Sequence, residues 1–178
     1  MMKIAVVQAC SCEKLSDNLE TVRRYASEAA QKGCSVICFP ECYLTGYAPE
    51  HTETDALEKN APVLKQISST AAEHAIDILV GFMEKAEGDF YITHGLFRKD
   101  GTWDFYRKTH LGQREQGFFS PGNELKVLSL TDGTKIGIQI EPDAIHVMKK
   151  SEYSGMFGDY SSFSDEIEHL SDIAEEEE

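Results

Sequence analysis

Cysteine is missing from this chain beyond position 42: all five, Cys10, Cys12, Cys34, Cys38 and Cys42, fall in the first quarter of 178 residues. An odd and sparse set is no disulfide framework, so reduced thiols in a cytoplasmic protein are expected. Long apolar runs are lacking too. None nears the roughly 20 residues that cross a bilayer, and Met1-Met2-Lys3-Ile4 runs into a strand pattern with no cleavage-site signature. No membrane partner is expected. Bases are scarce, 17 against 31 acids, but unevenly so: residues 151–178 hold 10 acids and no Lys or Arg, leaving 21 acids against 17 bases elsewhere. The body is mildly acidic, the tail ending Glu175-Glu176-Glu177-Glu178 is expected to be partly disordered, and nucleic-acid binding through phosphates is disfavoured.

What is present suits one packed domain, with 41% hydrophobic residues and 10% aromatics. Short Val/Ile-rich runs at Lys3 to Ala9 and Ser35 to Phe39 flank a helical pattern from about Asp17 to Lys32, with Leu19, Val22, Ala26 and Ala29 on one face. Ser16 is the expected N-cap and Gly33 the left-handed stop. Pro62 opens a second helix, with Leu64, Ile67 and Ala71 on one side, before a strand from Asp77 to Phe82. Asp100-Gly101 joins strands Phe90 to Arg98 and Thr102 to Arg107; Asp132-Gly133 joins Leu125 to Leu130 and Thr134 to Ile140. Helices early and hairpins late predict an α/β (α+β) fold, a mixed sheet with helices packed on one face.

Five phrases then occur in order: Lys3-Ile4-Ala5-Val6-Val7-Gln8; Phe39-Pro40-Glu41 with Leu44-Thr45-Gly46-Tyr47; Tyr106-Arg107-Lys108-Thr109-His110-Leu111; Glu115 with Phe119-Ser120-Pro121-Gly122; and Ile136-Gly137-Ile138. Through them residues 3–140 resemble the N-terminal part of the nitrilase (carbon-nitrogen hydrolase) superfamily. The resemblance implies a truncated four-layer α-β-β-α sandwich over residues 1–140, followed by an unrelated or frameshifted acidic tail at 141–178. It also implies hydrolysis of amide or nitrile C–N bonds, in which a cysteine thiolate attacks carbon and water releases a covalent intermediate. Glu41 would be the general base, Lys108 the donor to the developing oxyanion, and Glu115 the residue that orients Lys108 and the leaving group. Tyr47 would line the substrate pocket. No cofactor or metal is implied, and the partner would be a small-molecule amide or nitrile.

The pattern fails at its decisive position. Where the family places its cysteine the chain has Glu141, and no cysteine follows. An inactive descendant is the expectation, with a non-catalytic binding module (a pseudoenzyme) or a gene-fusion remnant as the alternative. Cys42, next to Glu41, would face away from the pocket if the local backbone were extended. His94 and His110 read as satisfied or exposed histidines. Cys10-x-Cys12 and Cys38-x-x-x-Cys42 read as buried, inert thiols rather than metal ligands. From Ile140 to Met148 the chain faintly resembles the closing strand of polyamine-type ABC transporter ATPases, without a phosphate-binding Gly-x-x-x-x-Gly-Lys loop. A sandwich missing its later strands would expose apolar faces and associate into a homo-oligomer.

Overall fold

Each long stretch of apolar periodicity becomes a regular element in the computed structural model, which describes residues 2–138. Glu141, the tail at 141–178 and the transporter-like segment lie outside the described residues. The chain forms β1 (Ile4–Val6), α1 (Leu15–Gln31), β2 (Val36–Cys38), a 3-10 turn (Pro49–His51) leading into the single-turn α2 (Thr52–Asp55), and α3 (Pro62–His74). There follow β3 (Asp77–Ala86), β4 (Asp89–Phe97), β5 (Trp103–Arg107), β6 (Val127–Ser129) and β7 (Lys135–Gly137). Strands β1 to β5 lie in sequence order in one sheet, and β6 and β7 form a second of two strands. β1, β2 and β3 run parallel, and β3, β4 and β5 antiparallel.

Both helices pack on one face of the large sheet, as their stripes require. Leu19, Val22, Ala26 and Ala29 of α1 join Leu64, Ile67 and Ala71 of α3 over Ile37, Ile78, Val80, Phe82 and Phe97. The opposite face is covered by the small sheet: Leu128 and Leu130 pack on Val36, Leu79 and Leu96. The layers therefore run helix, sheet, sheet. Near the edge strand β1 the second face is open, and Ile4 and Val6 are 51% and 80% exposed.

Several local expectations need correcting. Helix α1 starts at Leu15, and Ser16 makes no cap; its hydroxyl bonds the neighbouring Asp17 carboxylate. The C-terminal stop is as expected: Gly33 takes φ +74, its N–H bonds Ala30 O and that of Cys34 bonds Ala29 O. β1 is shorter than Lys3 to Ala9, because after Val7 N–H bonds Cys38 O the neighbouring strand runs into Pro40, which has no N–H to offer. β3 continues to Ala86 and turns into β4 through Glu87 and Gly88, at φ +57 and +92. This hairpin was not expected, since Glu rarely takes the left-handed region. The two Asp-Gly turns share another geometry. Only Gly101 and Gly133 have positive φ, and Asp100 and Asp132 each accept the N–H two residues on, from Thr102 and Thr134.

Asp77, buried at the start of β3, ties these turns together. Its Oδ1 accepts Lys99 N–H at 3.0 Å and the Thr131 hydroxyl at 2.6 Å, and its Oδ2 accepts Thr131 N–H at 2.8 Å. Arg98 adds a hydrogen bond to Ser129 O at 2.6 Å. Asp77→Ala should leave two backbone donors without partners and lower stability by about 2–4 kcal/mol. Urea denaturation measures the loss, and an unchanged midpoint would show that this carboxylate does not hold the sheets together.

Candidate active site

Pro40 ends the β2 ladder and begins the arch that carries Glu41. Phe39 N–H is the last to bond β3, at Leu79 O; the next contact is Leu44 N–H to Gly81 O. The residues between them bow out over Gly81. A Cβ at Gly81 would lie 2.5 Å from Cys42 N and 2.9 Å from Glu41 Cα, so only glycine lets the arch rest on the sheet. Thr45 closes it by accepting Met83 N–H at 3.0 Å.

Lys108 enters from β5. The register leaves Arg107 on the helix side and Lys108 on the other, where Lys108 N–H bonds Ile92 O. The Phe118 to Gly122 segment lies beside it: Ser120 N–H bonds Phe90 O and Gly122 N–H bonds Lys108 O. A Cβ at Gly122 would come within 2.6 Å of Arg107 O, so this glycine too is set by close approach. Glu115 sits in the turn before Phe118. Its Oε2 accepts Gly112 N–H at 2.7 Å, which leaves Oε1 aimed at the lysine.

These three segments converge on one ammonium. Lys108 Nζ donates to Glu115 Oε1 at 2.9 Å and to Glu41 Oε1 at 3.4 Å, and both Lys108 and Glu115 are buried. Glu41 Oε2 is buried with no hydrogen-bond partner. Burial raises the Glu41 pKa above the ordinary carboxylate value; the Lys108 charge opposes this and that of Glu115 adds to it. For Lys108, burial alone would lower the pKa, but the Glu115 hydrogen bond and both carboxylate charges outweigh it and hold the ammonium firmly charged. A cavity of about 430 Å³ opens beside Glu41 and Lys108, lined also by His94, Tyr106 and Ile138.

Behind Lys108 a second ion network grips the strand from the helix side. Glu84, fully buried, accepts from the Thr93 hydroxyl and from Arg107 Nε at 3.1 Å and Nη2 at 2.5 Å, with Lys59 Nζ 3.4 Å away. The Arg107 guanidinium also stacks 3.7 Å from the Tyr91 ring centroid.

Of the expected site residues, Glu41, Lys108 and Glu115 meet, and Tyr47 lies near Glu115 outside that cluster. It is 49% exposed, stacks on Phe119 at 6.5 Å, and does not line the cavity. Burial of its hydroxyl, with the nearby Glu115 charge, pushes its pKa up to about 12. Cys42 is not extended but left-handed, with φ +52, so strand alternation says nothing of its direction. It is buried beside Met83, Ile92 and Phe119. Burial first, then the charges of Glu41 and Glu115, push its pKa far up, which keeps it a thiol. Cys10 and Cys12 are exposed rather than buried. His94 is buried with an unpartnered Nε2 rather than satisfied, whereas His110 Nδ1 lies 3.0 Å from the Thr109 hydroxyl. Among the described residues no three His, Cys, Asp or Glu side chains are placed to hold a metal ion. No described helix is long and apolar enough to cross a membrane.

The sequence profile of the carbon-nitrogen hydrolase family matches residues 3–146. The chain belongs to this family. Among its relatives, the omega-amidase NIT2-B of Xenopus laevis is 32% identical over 153 residues, covering 78% of this chain and 54% of that protein. The N-carbamoylputrescine amidase of Arabidopsis thaliana is 30% identical over 142 residues, covering 74% and 47%. The chain thus spans about half the length of the curated relatives it matches. Solved structures share the fold. Nit3 of Saccharomyces cerevisiae, a nitrilase-superfamily member, superposes with a TM-score of 0.68 at 22% identity, covering 76% of this chain and 54% of that one. A variant amidase from Nesterenkonia sp. AN1, with acrylamide added to its active-site cysteine, gives 0.68 at 22% identity, covering 77% and 56%.

Two outcomes follow from these environments. Folding favours the neutral Glu41 carboxyl, so its contribution to stability is full below the ordinary glutamate value of 4.5 and is lost as pH rises through the raised folded-state pKa. Glu41→Gln, fixed neutral, should therefore melt above wild type at about pH 7 and show no gain at about pH 4. A gain of equal size at both would contradict the raised pKa. Iodoacetamide should label Cys10 and Cys12 in the native protein and spare Cys42, read by peptide mass; early labelling of Cys42 would mean an activated thiol.

Proposed function

We propose that this chain keeps the amide-recognising acid, base and cation of a carbon-nitrogen hydrolase without the covalent step, and binds small amides that it does not turn over. The observation that carries the reading is Lys108, held between Glu41 and Glu115 at the wall of a ligand-sized cavity. In an amidase such a carboxylate takes the nucleophile's proton, and such an ammonium donates to the oxyanion. Here an amide carbonyl would accept from Lys108, and its NH2 would donate to the Glu41 carboxylate on the cavity wall.

Nucleophilic attack lacks its sulfur. The family's cysteine position is occupied by Glu141, three residues after the cavity-lining Ile138. Cys42 is a protonated, packed thiol and supplies no substitute. Losing a covalent nucleophile removes on the order of 10^6 in turnover, leaving binding and charge stabilisation. The alternative is an active hydrolase. Purified protein should release no ammonia from butanamide above background, while butanamide raises its melting temperature in a dose-dependent way that Lys108→Met abolishes. Ammonia release that disappears in Glu41→Gln would establish the alternative. Glu141→Cys tests the same reading from the other side, since it should introduce a thiol that fluoroacetamide alkylates faster than any of the five native cysteines; a thiol at 141 that labels no faster would count against its place in the site.

A further inference from the structure

His94 is unaccounted for by the chemistry of Lys108 and its two carboxylates. Strand β4 turns Ile92, His94 and Leu96 away from the helices, so a histidine sits in a row otherwise apolar. The side chain is buried, at 8% exposure, and its Nε2 is sealed from solvent with no hydrogen-bond partner. Burial lowers its pKa to about 4, which keeps the ring neutral at physiological pH. The ring lines the same cavity of about 430 Å³ as Glu41 and Lys108, across from Tyr106 in the β4–β5 register. A buried polar atom without a partner costs free energy, and a neutral imidazole nitrogen can satisfy one donor or one acceptor on a ligand.

We propose that His94 is a second recognition point of this cavity: its ring, turning in its place on the wall, brings the nitrogen that is sealed in the free protein against an uncharged polar group on the far part of a ligand whose amide meets Lys108 and Glu41. The preferred class is then an amide with a second neutral hydrogen-bonding group, such as a diamide, over an alkyl amide of equal length. Among the described residues a carboxylate in that place finds no free lysine: the His94 ring is neutral, and Lys126, the other lysine on the cavity wall, is engaged by Asp104 at 3.0 Å. The volume leaves room for both ends of such a molecule.

This inference rests on the amide-pocket reading above, and the experiment separates the two. Titration calorimetry on the full chain compares butanediamide, pentanediamide and hexanediamide with the monoamides of the same carbon count. At least one diamide should bind about tenfold tighter than its monoamide. It should also shift the His94 ring resonances in NMR, which the monoamide leaves in place. His94→Gln, which keeps hydrogen-bonding atoms, should retain a preference for the diamide over its monoamide, and His94→Leu should erase it. Monoamides binding with no diamide preference, or a preference that survives His94→Leu, overturns the role of His94 alone. No amide of either kind binding overturns it together with the amide pocket. Should His94→Leu fail to melt cooperatively, the wild-type preference and ring shift decide: absence of either overturns the proposal.

Discussion

One buried ammonium sets the positions of everything around it. Removing a lysine from water costs several kcal/mol, and Lys108 recovers this only through Glu115 at 2.9 Å and Glu41 at 3.4 Å. Those carboxylates come from separate loops, so the arch after Pro40 and the turn at Gly112 must both arrive at the end of β5. Gly81 and Gly122 allow it, each at a place where a Cβ would strike backbone. Glu41 is the more loosely held of the two carboxylates, and burial first, with the Glu115 charge adding to it against Lys108, raises its pKa.

Much of this was legible in the residues, and the rest was not for definable reasons. Helices α1 and α3 could be read because each buries one stripe, and Gly33 because a left-handed stop is written locally. Ser16 misled, since a cap depends on where the helix starts, and packing of Leu15 moved that start outward. The Glu87-Gly88 hairpin was hidden because tertiary pairing of β3 with β4 imposes a conformation that glutamate does not favour by itself. Glu41, Lys108 and Glu115 were found through the phrases around them, but their distances are a property of three loops meeting. Gly81 carried no local signal at all, because its partner lies some 40 residues back along the chain. His94 reads in the sequence as satisfied or exposed, and that it is buried with an unpartnered Nε2 is decided only by what surrounds it in the fold.

Membership in the family fixes the fold and leaves the chemistry to the site. The relatives bear amidase names, and this chain spans about half their length. Its described residues bring two carboxylates onto one lysine, and residue 141 of the sequence is a glutamate.

The clamp on the reverse side of β5 adds one more consequence. Arg107 is held by Glu84 in two hydrogen bonds and by the Tyr91 face, and it is the residue immediately before Lys108. The peptide that aims the lysine is therefore immobilised before any ligand arrives. Such preorganisation removes the ordering of the ammonium from the costs that any molecule meeting it would otherwise bear.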